Sequence, residues 1–495
     1  MAVLRAADAL VALSLLIQTS SGAEVAAGQG NALCLGCHGD ATALAGSVHG
    51  KTHRCIDCHA AQAVVPHAEV PNRDAARLAM NRACGACHQA QAASYAITSH
   101  GKIATLGYAQ TATCADCHGS HAILPASATG SRVAAIRLLD TCRECHRGAT
   151  QGFASYQAHA TTSDFARYPQ MWLAAWFMVG LLAFTFGLFW THSVLWLYRE
   201  WRDRQERKLR PHVSAGAISA EDRRQYARWS PAWRAAHLIF TVSVIVLVAS
   251  AIPLLYPASA WAPWLVGLFG GPAAASTVHK WAAVIMFAVF VGHLVYAAVY
   301  LVRNWRTFEW FGPYSLMPNW QDARDFVAMC KWFVGKGPRP VCDHWNYMQK
   351  VDYWAPFWGI AMLSWTGAML WFKELNAAYL PGWTFNVATL VHGEEALLAA
   401  VYLFTIHFFA NHWRPDKFPL DLVMFTGSMP IEEFRREYAA EYKRLVEAGE
   451  LEKYLVNEPA RPMTLASQIL GFTLVAVGLV LLAMMATGFA GKLAA

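Results

Sequence analysis

The chain has 495 residues, of which 56% are hydrophobic and 15% charged, with a net charge of +7. That length allows two or three domains, and that composition points to membrane insertion. The positive balance is no nucleic-acid footprint, because the basic residues cluster beside hydrophobic stretches.

Residues 1–23 read as a secretory signal: Arg5 precedes an apolar run from Ala9 to Ile17, and Ser21-Gly22-Ala23 offers small residues for cleavage. The run is too short to span a bilayer.

Residues 24–168 form a segment with five C-x-x-C-H motifs: Cys34-Leu-Gly-Cys37-His38, Cys55-Ile-Asp-Cys58-His59, Cys84-Gly-Ala-Cys87-His88, Cys114-Ala-Asp-Cys117-His118 and Cys142-Arg-Glu-Cys145-His146. Two thiols at this spacing form thioethers to the vinyl groups of one haem, and the histidine that follows is placed to ligate the iron. Structural zinc or disulfides need partners that this spacing does not supply. Ten of the twelve cysteines are thereby used, leaving Cys330 and Cys342. So short a segment leaves little side-chain mass for a core, so a loop- and helix-rich pentahaem c domain, wrapped round its porphyrins, is expected.

Six histidines of this segment lie outside the motifs, and five second ligands are needed if every haem is bis-histidine. Ser47-Val48-His49, Ser99-His100 and Ser155-Tyr156-Gln157-Ala158-His159 share a local pattern, and His121 follows His118 by three residues. His49, His67, His100, His121 and His159 are the favoured set, with His53 the spare. An open or Met-ligated haem is the alternative.

Six apolar stretches follow, at about 171–198, 235–257, 278–302, 353–373, 388–412 and 464–488, each long enough to cross a hydrocarbon core of about 30 Å. The fold expected is an all-α membrane protein of six transmembrane helices, the first (169–200) linking the two halves. The connection 199–234 holds ten Lys and Arg residues, whereas 258–277 and 374–387 hold none. Basic loops stay in the cytoplasm, which puts the c domain and the C-terminus in the periplasm of a bacterial inner membrane.

Histidine inside a membrane is costly and reads as functional. His237 opens the second span on the inner side, His279 the third on the outer side, and His392 and His407 lie near the outer and inner ends of the fifth. Fifteen residues separate the last two, a rise of about 22 Å on related helix faces. Depth then pairs His279 with His392 and His237 with His407, as ligands of two non-covalent b haems. His192, His293 and His412 read as hydrogen-bonding groups.

Residues 228–450 resemble the di-haem cytochrome b subunit of formate dehydrogenase-N and related hydrogenase cytochromes b. The stretches that carry the likeness are Arg234-Ala-Ala-His237, Val278-His279-Lys280, His344-Trp-Asn346-Tyr-Met-Gln349-Lys350, Leu390-Val-His392 and Ile406-His407. The resemblance implies a four-helix core with two b haems at these histidines, and a quinone near the inner haem at Asn346. The 15-residue interval differs by one from that family's, and spans 1 and 6 fall outside the likeness. The whole chain is similar to inner-membrane cytochrome bc fusions of metal-respiring bacteria, with the c domain matching only as a generic multihaem cytochrome.

The function expected is a quinol oxidoreductase passing electrons through two b and five c haems to a periplasmic cytochrome or reductase, with menaquinone or ubiquinone as substrate. Asn346, Gln349, Lys350 and Asp352 are candidates for quinone binding or proton relay, against the alternative of a polar helix start; Glu394 and Glu395 stand beside His392 as candidate proton carriers, against a hydrated helix end. The motifs are indifferent to direction, so a quinone reductase fed from the periplasm stays open, as does a non-enzymatic electron-transfer subunit of a larger complex. Membrane lipid and the quinone pool are the expected partners, nucleic acid is not, and homo-oligomerisation is left open.

Overall fold

A computed structural model describes residues 23–24, 31–65, 67, 72–208 and 224–494. Apart from Ala23, the expected signal lies outside the described residues, as do Arg210 and Arg223 of the first basic connection. The chain is mostly helical and divides into two compact units. One holds the described residues up to His159 together with Ala377–Gly382; the other holds Ala160–Asn376 and the described residues from Trp383. The boundary thus falls nine residues before the expected one at 168.

In the first unit the only strands among the described residues are β1 (Ala23–Glu24) and β2 (Val64–Val65), paired antiparallel. The rest is short helix and loop, the longest helix being Arg73–Cys87. The second and fourth motifs each start a short helix, at Cys55 and at Cys114. Asp57 accepts from Arg54 N at 2.8 Å and Asp116 from Thr113 N at 2.6 Å, so the acid inside each of these motifs satisfies a donor at its own helix start. The arrangement repeats. Asn31, three residues before Cys34, accepts from Cys55 N at 2.8 Å; Asn81, three before Cys84, accepts from Cys114 N at 3.0 Å. Motifs one and two, and motifs three and four, are therefore joined by the same device.

The long helices of the second unit are α1 (Pro169–Lys208), α2 (Pro231–Leu255), α3 (Pro272–Asn304), the amphipathic α4 (Trp320–Phe333), α5 (Tyr347–Trp371), α6 (Trp383–Tyr402) and α7 (Arg461–Ala494). After Tyr402 the chain continues as π-helix over Leu403–His407 and Phe409–Trp413. Five helices are long and apolar enough to cross a membrane: α1, α2, α3, α6 with its π extension, and α7. This makes the chain a multi-pass membrane protein. Their apolar side chains face outward, as Trp176, Phe184 and Val194 do on α1.

The expected fourth span is the exception among six. It is a helix of 25 residues, α5, that is not among those apolar enough to cross by composition alone, and Lys350 and Asp352 lie in its first two turns. Lys350 is buried and donates to Asp322 Oδ2 on α4 at 2.9 Å, so that charge is paired rather than presented to lipid.

A small polar layer closes one end of this unit. Strands β3 (Gln225–Ala227), β4 (Ser428–Pro430) and β5 (Leu455–Val456) form a sheet in the order β4-β3-β5. Tyr226 stacks on Phe434 with ring centres 3.7 Å apart. Glu441 is fully buried, accepting from Tyr226 OH at 3.0 Å and lying 2.6 Å from His344 Nδ1.

Reporters fused after Arg210 and after Ala495 decide whether α5 crosses. With α5 spanning, five crossings separate the fusions and they report opposite sides. Activity on the same side at both positions would mean that α5 does not cross.

Candidate functional site

In the first unit each motif histidine faces one other histidine. Ring centres are 6.0 Å apart for His38–His67, 6.0 Å for His88–His49, 6.2 Å for His59–His121, 6.2 Å for His118–His159 and 6.1 Å for His146–His100. Two metal–imidazole bonds of about 2 Å, with about 1 Å more from each ligating nitrogen to its ring centre, require about 6 Å. The separation therefore suits one metal between two imidazoles. His53 instead lies edge-on to His49 at 5.3 Å, with its Nδ1 2.7 Å from Thr52 Oγ1.

Burial holds His49, His59, His118 and His159 below the ordinary histidine pKa. They are neutral at pH 7 and keep a lone pair. For His159 the tautomer can be argued. Ser94 Oγ donates to Gln91 O at 2.9 Å and so accepts from His159 Nδ1, also at 2.9 Å. The proton sits on Nδ1, and Nε2 carries the lone pair. After His49 and His100 the chain needs glycine: a Cβ at Gly50 would come 2.0 Å from Leu44 O, and one at Gly101 2.1 Å from Tyr95 O.

The motifs also follow one another in space. The Cys34 thiol lies within interaction range of Cys55, and Cys84 of Cys114. Cys58 is within electrostatic range of Cys84 and Cys87, and Cys117 of Cys142 and Cys145. All twelve cysteines are free of disulfides.

In the second unit His279 on α3 and His392 on α6 face each other with ring centres 6.3 Å apart. Each has the same support. Ser250 Oγ donates to Val246 O at 2.7 Å and accepts from His279 Nδ1 at 3.0 Å; Thr366 Oγ1 donates to Met362 O at 2.6 Å and accepts from His392 Nδ1 at 3.0 Å. Both Nε2 lone pairs are left for a ligand between the rings. At the other level His237 on α2 is within electrostatic range of both His407 and His412. His407 Nδ1 lies 3.3 Å from Asp352 Oδ2. His192 and His293 instead engage tyrosines, Nε2 to Tyr347 OH at 2.6 Å and to Tyr353 OH at 2.9 Å.

These contacts align α5 antiparallel to α6. Thr366 is level with His392 and Asp352 with His407, so 14 residues of α5 match 15 of the partner. The π segment Leu403–His407 takes up the extra residue, since a π turn closes one residue later than an α turn. His407 thereby returns to the face that His392 occupies.

The four quinone candidates all have protein partners. Asn346 caps α5: its Oδ1 accepts from Gln349 N at 2.9 Å, and Gln349 Oε1 accepts from Asn346 N at 3.1 Å. Gln349 Nε2 also donates to Tyr438 OH at 2.7 Å. Lys350 is tied to Asp322 and Asp352 to His407. The supporting residues Ser94, Ser250, Thr366, Tyr402 and Asn411 were not picked out from sequence. The available signal was an isolated hydroxyl inside an apolar stretch, as at Ser250 and Thr366. Of the candidate proton carriers, Glu395 is buried and its Oε1 has no hydrogen-bond partner.

Among the described residues no group of three or more His, Cys, Asp or Glu side chains could hold a bare metal ion. The histidine pairs supply two ligands each, which fits a metal whose other four positions come from a macrocycle. No protein-family model and no curated protein matches the chain.

The capping geometry generates a stability prediction. Asn346→Ala should destabilise the protein by about 1 kcal/mol, and Asn346→Asp by much less, because Asp also caps. Thermal unfolding in detergent measures both, and equal losses would refute the cap.

Proposed function

We propose that this chain is a quinol oxidoreductase of the bacterial cytoplasmic membrane, a cytochrome bc fusion that takes electrons from quinol and delivers them to a periplasmic acceptor. The observation that carries the reading is the pairing of all five motif histidines, each with one further histidine at ring separations of 6.0–6.2 Å. His279 and His392 repeat that separation inside the membrane unit. On this reading five c haems and two b haems, when bound, supply reversible one-electron transfer.

The protein's own residues do the rest. The cysteine thiols would hold each c haem covalently, and the paired histidines would ligate its iron. Ser94, Ser250 and Thr366 hold imidazoles in the ligating tautomer. The aligned length of α5 against α6 supports six crossings, with α5 the fourth. Asn346 stands at the start of α5, near the level of Asp352 and His407, on the side proposed as cytoplasmic. Its Oδ1 is used by the cap; its Nδ2 is the donor that a quinone carbonyl needs. An unpaired buried carbonyl would cost about 1–3 kcal/mol.

Pigment analysis tests the reading first. A pyridine haemochrome assay should give c and b haems near five to two, and a preparation with no acid-acetone-extractable haem would end the b-haem claim. His49→Ala should turn one c haem high-spin while His53→Ala leaves all five unchanged; the reverse result would make His53 the ligand. For the quinone site, Asn346→Asp keeps the cap but loses the donor. It should slow quinol-dependent haem reduction about tenfold at unchanged haem content, and a wild-type rate would move the pocket elsewhere.

A further inference from the structure

The two proposed b-haem sites differ in what holds their ligands. The hydroxyls of Ser250 and Thr366, which accept from His279 and His392, are neutral. The acceptor facing His407 Nδ1 is a carboxylate. Three donors converge on Asp352: Tyr402 OH at 2.9 Å, His407 Nδ1 at 3.3 Å and Asn411 Nδ2 at 3.5 Å. An ionised carboxylate accepts all three, Tyr402 at Oδ1 and the other two at Oδ2. Asn411 Nδ2 also lies 3.2 Å from His407 Nδ1, but it has His407 O at 2.9 Å as acceptor. Lys350, two residues from Asp352, is committed to Asp322 instead.

From this contrast we infer that Asp352 is a positioning residue that gives the His407 haem site a lower potential than the His279–His392 site, so that the b module is built to run electrons from the inner side to the outer. The inference rests on the proposed b-haem reading and gives the proposed direction a cause in named residues.

A carboxylate on Nδ1–H increases the electron donation of the ligating imidazole and favours the ferric state. A neutral hydroxyl does this less. An electron shared between the two sites therefore rests on the outer one: the inner iron goes from ferrous to ferric, the outer from ferric to ferrous, and no proton moves. Asp352 thus belongs to the haem site, outside the quinone pocket.

Redox titration of the intact protein, followed in the b-haem absorption band, tests this. Wild type should show two b waves, and His392→Ala identifies the outer one by its loss. Asp352→Asn should raise the inner wave, moving the electron partition about tenfold, or about 59 mV, while the outer stays. Asp352→Glu should restore most of the separation. If Asp352→Asn loses the inner haem, Tyr402→Phe decides: with one donor fewer, the carboxylate leans harder on His407 and the inner wave should fall. Two waves that Asp352→Asn does not move, an inner wave above the outer one in wild type, or a rise with Tyr402→Phe overturns the inference. No b wave at all would instead overturn the proposed function.

Discussion

An imidazole offers a lone pair on one nitrogen only while the other nitrogen keeps its proton, and a buried N–H must have an acceptor. Much of this structure follows from that pair of demands. Ser94, Ser250 and Thr366 each spend their own hydroxyl proton on a backbone carbonyl and so can only accept from the histidine beside them. The supports are local and small. They let a helix or a loop aim an Nε2 at an opposing ring without a charged neighbour. Where a charged neighbour is used, at His407, the same demand is met with different electronic consequences.

The membrane unit carries polar residues in a setting that penalises them, and it handles each by pairing. Lys350 meets Asp322, and Asp352 gathers hydroxyl, imidazole and amide donors. A broken buried pair would leave an uncompensated charge. That pairing lets α5 run beside α6 although it is not among the helices apolar enough to cross by composition alone.

The histidines that the structure pairs were legible in sequence because they are few and stand in short recurring motifs or at matched depths. The five motifs, the shared pattern around His49 and His100, and the depths of His279, His392 and His407 are one-dimensional signals. Which histidine faces which is a tertiary fact: His59 reaches 62 residues ahead to His121, and no local pattern encodes that. The doubled device of Asn31 and Asn81 was also hidden, because the residues between motifs differ although the backbone repeats. Asn346 could be seen as a cap or as a quinone donor. Its two ends are chemically distinct, and the cap occupies only Oδ1. The one-residue misfit of the 15-residue interval became intelligible only with the π segment.

The histidine pairs also constrain how the first unit is made. In chain order they join 38 to 67, 49 to 88, 59 to 121, 100 to 146 and 118 to 159. Each of these loops opens before the previous one has closed, so they interlock like links. No point between the first motif and His159 allows the chain to end with every preceding motif histidine already matched. As the chain emerges from its N-terminus, at least one such histidine is always waiting for a segment that has not yet appeared. The domain can be completed only as a whole, and His159 is the residue that completes it.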